Sequence, residues 1–171
     1  NVSGLALGMA ATMLIGLWIK EQLSFNKSFA NYNNVSQLML TGTFSDVVST
    51  DPSVSPPMAN ALRTQFPADF EKIAVTTKTT KNVLSYGEKN ISSFGNFADK
   101  DFSSIFSVKI IEGSLNNVGD PSSILISQSL AEALFGKEPA VNKIIKLNNK
   151  DNFKITGVYN DFPKNCSLYK T

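Results

Sequence analysis

Nineteen residues at the start of the chain, Asn1 to Ile19, carry no charge, and Lys20 and Glu21 then end the run. Polar atoms occur only at Asn1, Ser3, Thr12 and the indole of Trp18. A helix rises 1.5 Å per residue, so about 20 apolar residues cross the hydrocarbon core of a bilayer. A core helix of a soluble domain would show a polar face, and none is present. A signal peptide needs a basic start, a shorter apolar stretch and a small-x-small cleavage site, and this run has no such site. Trp18 followed by Lys20 is the pairing of a membrane–water interface, where an amphipathic ring sits at headgroup level. The run reads as a membrane anchor whose start is expected to be cut away.

Gly4, Gly8, Thr12 and Gly16 recur every four residues, which places four small residues along one helix face. Small residues at this spacing let a second membrane helix approach closely. They are the candidate helix-packing face.

About 150 residues follow, enough for one compact domain or two small lobes. The net charge is +2, from 16 basic and 14 acidic residues, too mild for a nucleic-acid partner. Residues 137–171 carry seven lysines and three acids while residues 1–136 net −2, a pattern of solvated lysines on strands and turns. The single cysteine, Cys166, permits no internal disulfide, and no cysteine cluster suits zinc. The chain has no histidine, which removes the commonest general base and metal ligand together with every Ser-His or Cys-His nucleophile. Neither a Walker phosphate loop nor a G-x-G-x-x-G turn is present. Asp99, Asp101, Asp120 and Asp161 read as caps and turn residues, so no catalytic, cofactor or metal residue is assigned and no cofactor is expected.

Apolar periodicity divides the remainder. A helix is expected to continue out of the membrane from Lys20 to about Tyr32, forming a stalk over residues 20–35. "VSQLMLTGTF" alternates as a strand, with Val35, Leu38 and Leu40 available to a core, and "DVVSTDPSVSPPM" reads as a loop. Pro57 opens a short helix carrying Met58, Ala61, Leu62 and Phe66, stopped before Pro67. "KIAVTTKT" reads as a strand, and Gly87 as the turn of a hairpin between "VLSY" and "KNIS". Phe102, Ile105 and Phe106 have helical spacing, with Asp99 or Asp101 as cap, before a strand at Val108, Ile110 and Ile111. Strand Ile124 to Ile126 leads into a helix with Leu130, Leu134 and Phe135, ended by Gly136. "NKIIKLNNKDNFKITGVYND" is a hairpin around Asn-Asn-Lys-Asp. The fold class is α+β on a membrane stalk.

Several stretches together resemble the MacB/FtsX-like permeases of ABC transporters. "GLALGMAATMLIGLWIKEQLSFNKSF" is similar to their first membrane helix and exit segment. "DKDFSSIFSVKIIEGS" resembles their acidic residue, phenylalanine pair and closing Glu-Gly. "DPSSILISQSLAEALFGKE" resembles their strand–helix segment, and "FKITGVYNDFPKNCSL" their Val-x-Gly-Val strand and Asp-Phe-Pro-x-Asn turn. Each block alone is weak; four in the family's order, from Gly4 to Leu168, are specific. The abundance of Asn and Lys resembles that of Bacteroidetes members.

The resemblance implies a periplasmic core domain between the first two membrane helices, with a porter-like α/β lobe and a second, mixed α+β lobe inserted into it. Mapped here, residues 1–19 are the membrane helix, residues 36–80 and 153–171 the porter-like lobe and residues 82–152 the insert. It further implies a fragment that lacks the cytoplasmic start and later spans. The expected place is the inner membrane, with residues after about 20 in the periplasm. The expected partners are an ABC ATPase domain or subunit, a second permease copy, a periplasmic adaptor or outer-membrane partner, and the bilayer. Such a subunit is not itself an enzyme; it transmits ATP-driven motion outward through a stiff helical lever, to export or extract a substrate. The alternative is a membrane-tethered ligand-binding or sensor domain without transport, which should carry a deep apolar pocket with a few convergent polar groups. Phe94 and Phe97, set among Gly, Ser and Asn, are the candidate partner or ligand surface for either reading.

Overall fold

The computed structural model describes residues 2–116 and 118–169. Helix α1 (Val2–Leu23) is 22 residues long, so it spans about 33 Å, and none of its residues is buried. Its mean hydropathy of 1.9 and its length are sufficient to cross a membrane. The helix stops earlier than its sequence suggests. Ser24 donates its hydroxyl to the Glu21 carbonyl (2.9 Å), and Asn26 adopts φ +61°, a left-handed conformation that no helix continues through. Residues 24–31 are turns, followed by a single 3-10 turn at Tyr32–Asn34. The continuous helical stalk expected to about Tyr32 is therefore absent.

Strands β1 (Leu40–Phe44) and β2 (Val47–Asp51) form a separate two-stranded antiparallel sheet. Its turn residues Ser45 and Asp46 both have positive φ, which matches the twist of a tight hairpin and explains a strand where Ser and Asp suggested a loop. Val35 and Leu38 precede the strand, and both are exposed along with Leu40, so the expected core role of all three is not met. Helix α2 (Pro57–Gln65) begins on proline as its sequence implies, and buries Ala59. "KIAVTTKT" forms no strand; Thr76 makes one isolated antiparallel bridge with Ala98.

The remaining elements share one six-stranded sheet: β3 (Thr80–Tyr86), β4 (Lys89–Gly95), β5 (Ile110–Gly113), β6 (Ser123–Ser127), β7 (Ile144–Leu147) and β8 (Asp151–Tyr159). β8 is the hub. Its first half pairs antiparallel with β7, its last three residues pair antiparallel with β5, and β6 runs parallel along the other edge. It therefore also crosses the division placed between residues 152 and 153. At Gly113 (φ +80°) an added Cβ would lie 2.3 Å from the Thr156 carbonyl oxygen, so only glycine permits this approach of β5 to β8.

Helix α3 (Lys100–Ile105) is capped by Asp99, whose carboxylate accepts from the Asp101 N–H at 3.2 Å. Helix α4 (Gln128–Phe135) follows β6, with Ser127 as cap and Gly136 at φ +68° as its stop. Its buried face, Ala131, Leu134 and Phe135, belongs to a cluster with Leu84, Ile126, Ile145, Phe153, Ile155 and Val158. This is the core of the sheet lobe. The fold is α+β with an apolar N-terminal helix.

Candidate functional site

Two features are candidate sites, one at the exit of α1 and one against the sheet. The first is a clamp. The left-handed turn at Asn26 frees its N–H to donate to the Asn165 carbonyl (2.9 Å), while the Asn26 Oδ1 accepts from the Ser167 N–H (2.8 Å) and hydroxyl (3.1 Å). Asn165 Nδ2 in turn donates to the Ser24 carbonyl (3.3 Å) and hydroxyl (3.1 Å). Three residues past α1, the chain is thus tied to a segment about 140 residues away.

An aromatic cluster backs the clamp. Phe29, buried, packs edge-on against Phe106 (5.3 Å between centroids) and Phe162 (6.1 Å). Phe106 stacks on Phe102 (4.7 Å), and Phe162 on Tyr159 (5.5 Å). Such pairs prefer tilted and edge-to-face arrangements and resist shear once packed. Burial, and next the Asp161 carboxylate, push the Tyr159 phenol up to about 12. Asp161 itself accepts from the Ser129 N–H (3.1 Å) and hydroxyl (2.7 Å), tying the end of β8 to the start of α4. The Asp-Phe-Pro-x-Asn turn therefore has three structural tasks: Asp161 holds α4, Phe162 joins the ring cluster and Asn165 holds the helix exit.

The second feature is a cavity of about 840 Å3. Leu84, Ile124, Leu147 and Phe153 of the sheet line it, with Leu130 of α4 and residues 94–103. Phe97 lies 6.4 Å from Phe153 between ring centroids. At the rim, Arg63 donates to Asp99 Oδ2 (2.8 Å) and to the Ile73 carbonyl, and lies 3.5 Å from Asp101 Oδ2. Asp99 Oδ2 also accepts from the Val75 N–H (3.1 Å). Asp120, which also lines the cavity, is held below the usual carboxylate range by the hydroxyl and then the backbone N–H of Ser122.

Phe94 and Phe97 both border this cavity and remain 47% and 61% exposed. Gly4, Gly8, Thr12 and Gly16 all lie within α1, far along the chain from the cavity, and an added Cβ at Gly8 or Gly16 meets nothing within 4 Å. The Thr12 hydroxyl is turned inward, donating to the Gly8 carbonyl at 2.8 Å. Among the described residues no three His, Cys, Asp or Glu side chains converge as a metal site. Sequence reasoning marked Asn165 only as part of the Asp-Phe-Pro-x-Asn turn and missed Asn26 and Ser167; the local signal at Asn26 is the tolerance of asparagine for positive φ.

The description "MacB-like periplasmic core domain" fits residues 1–169. No curated protein is similar enough in sequence to match the chain. Among solved structures, a domain of a protein described as a permease, from Porphyromonas gingivalis, matches with TM-score 0.60 and 24% identity. That match covers 77% of this chain and 57% of that one. The extracellular domain of the ABC-type transporter YknZ from Gram-positive bacteria matches with TM-score 0.52 and 20% identity, covering 62% and 57%. The periplasmic region of MacB from Actinobacillus actinomycetemcomitans matches with TM-score 0.50 and 21% identity, covering 60% and 49%. The chain thus spans about half the length of these structures, whose likeness shows a shared fold. With the family's description fitting nearly every residue, the chain belongs to the MacB-like periplasmic core domain family.

Proposed function

We propose that this domain is the extracytoplasmic core of an ABC transporter permease subunit of the inner membrane, and that it carries ATP-driven motion outward to export or extract a substrate. The observation that carries this reading is the clamp. The helix is not a continuous lever; it ends at Leu23, and three residues later Asn26 is bound from both sides to Asn165 and Ser167. Movement of α1 is passed on through fixed hydrogen bonds and through Phe29 into the Phe106 and Phe162 rings. Packed elements with such cross-links move as rigid bodies. On this reading the ATPase is a fused domain or a separate subunit, the Gly4, Gly8, Thr12 and Gly16 face meets another membrane helix, and a second permease copy and a periplasmic adaptor complete the assembly.

The test is made on the full-length gene product, gently solubilised from its own membranes through an affinity tag. Recovery of an ATPase with vanadate-sensitive turnover supports the permease reading. Its absence, with none fused, sinks it. A second reading, a membrane-tethered ligand-binding domain, draws on the cavity at Phe94 and Phe97, and would lead in that event.

A further inference from the structure

We propose that the cavity bordered by Phe94 and Phe97 is a binding site for an uncharged amphiphile with an extended apolar body, taken from the bilayer beside α1. The inference goes beyond the transport reading and rests only on α1 lying in a membrane. Three observations carry it, beginning with size and lining. About 840 Å3 falls within the range of small-molecule sites, and Leu84, Leu147, Phe153, Ile124 and Leu130 offer an apolar bed. Phe97, the most exposed ring at this site, lies beside buried Phe153, so an apolar guest entering here takes both faces of the opening out of water.

Charge then selects the head group. Arg63, Lys100, Asp99, Asp101 and Asp120 line the cavity, Lys154 acts on Asp120, and Arg63 is already engaged by Asp99, Asp101 and the Ile73 carbonyl. A carboxylate, phosphate or sulfonate head would find no surplus positive charge in this setting, whereas a hydroxyl would find carboxylate acceptors.

Position supplies the source. Phe102, Tyr159 and Phe162 border the cavity and also belong to the ring cluster around Phe29, six residues beyond the end of α1. The cavity therefore adjoins the place where the chain leaves the membrane, and an apolar molecule reaches it from the bilayer along an aromatic path.

The test uses the full-length protein in phosphatidylcholine vesicles and two photoreactive probes of identical chain, a long-chain alcohol and the matching alkyl sulfonate, each with a diazirine near its tail. After irradiation and digestion, the alcohol is expected to label peptides from residues 94–103 and 118–130, and the sulfonate to label them weakly. Gly95 borders the cavity and an added Cβ there meets nothing within 4 Å, so Gly95→Phe is the variant chosen to fill it. Loss of labelling in Gly95→Phe, at unchanged melting temperature, is the expected result. Gly119→Leu, at a second open glycine on the rim, repeats the test should Gly95→Phe fold poorly. Labelling confined to residues 2–23, equal labelling by both probes, or labelling indifferent to the filled cavity would each overturn the proposal. None of these outcomes bears on recovery of an ATPase.

Discussion

Two hairpins of similar make-up meet different fates in this molecule. β1–β2 brings Leu40, Phe44, Val47 and Val48 to a two-residue turn; β3–β4 brings Val83, Leu84 and Ile91 to another. In β3–β4, Leu84 is buried, and the outer edge of β3 pairs with β7 through Leu84 and Leu147. Asn148 then fastens the corner, donating its N–H to the Val83 carbonyl and accepting from the Val83 N–H, both at 2.8 Å. In β1–β2 every residue of β2 is exposed, Phe44 is 78% exposed, and among the described residues neither strand pairs with any other. Apolar content alone does not separate the two. A two-stranded ribbon is marginal in water, and what fixes β3–β4 is a third strand and a covered face.

The largest effect should fall on that covered face. Leu134, 1% exposed, sits at the centre of the cluster beneath α4, and Leu134→Ala should cost about 2–5 kcal/mol, read by chemical or thermal unfolding. A cost below about 1 kcal/mol would mean that the sheet lobe is loosely filled and that the contrast with β1–β2 is one of degree.

A second prediction concerns pH. The folded Tyr159 phenol titrates near 12 and the unfolded one near 10, so the native state binds the extra proton between them. Stability should therefore be unaffected by this group below pH 10, and fall as pH rises from 10 through 12, by an order of 2–3 kcal/mol. Tyr159→Phe should remove that part of the slope. An unchanged slope in the variant would place the titration on other tyrosines or lysines, and would show the ring cluster to be wetter than its packing suggests.

The clamp should respond more modestly in stability than in mobility. Asn26→Gly keeps the left-handed turn accessible and deletes the acceptor for Ser167, so the fold should lose only about 1 kcal/mol. Amide exchange at residues 24–29 and 164–168 should accelerate while β7 and β8 stay protected. On the proposed permease reading, the same change should also loosen the dependence of ATP turnover on the outer domain. Protection that stays unchanged at the helix exit would assign the junction to the aromatic cluster alone.

How much of this could be read beforehand depends on the range of the interaction. Gly87, Gly136, Asp99 and the Asn-Asn turn act within a few residues of themselves, and the elements that they begin or end lie where their spacing indicates. The cluster of Leu134, Ile145 and Ile155 follows from apolar periodicity. The fastening of the helix exit to Asn165 and Ser167 does not, because no local pattern connects residues 141 positions apart. "KIAVTTKT" failed as a strand for a related reason. Its β-branched residues suit a ladder, but the Asp99 side chain takes the Val75 N–H, and the bonds from the Thr77 N–H to the Phe97 carbonyl and from the Asp99 N–H to the Val75 carbonyl make a single bridge. Phe94 and Phe97 were visible as aromatics in a polar stretch; that they border a cavity required the sheet, which brings Phe153 beside Phe97.

The smallest effect expected is the sharpest check on the two hairpins. Phe44 pairs directly with Val47 across the turn, and both are open to solvent, so Phe44→Ser removes one cross-strand contact and no buried area. The change in unfolding free energy should stay within about 0.5 kcal/mol. Backbone amides of β1 and β2 should already exchange near the local-opening limit, since their ladder has neither a third strand nor a packed face. A cost approaching that of Leu134→Ala, measured in the full-length protein, would demonstrate that Phe44 is covered in the working assembly. The exposed hairpin would then be a contact surface, and the difference between the two hairpins would lie in what covers them.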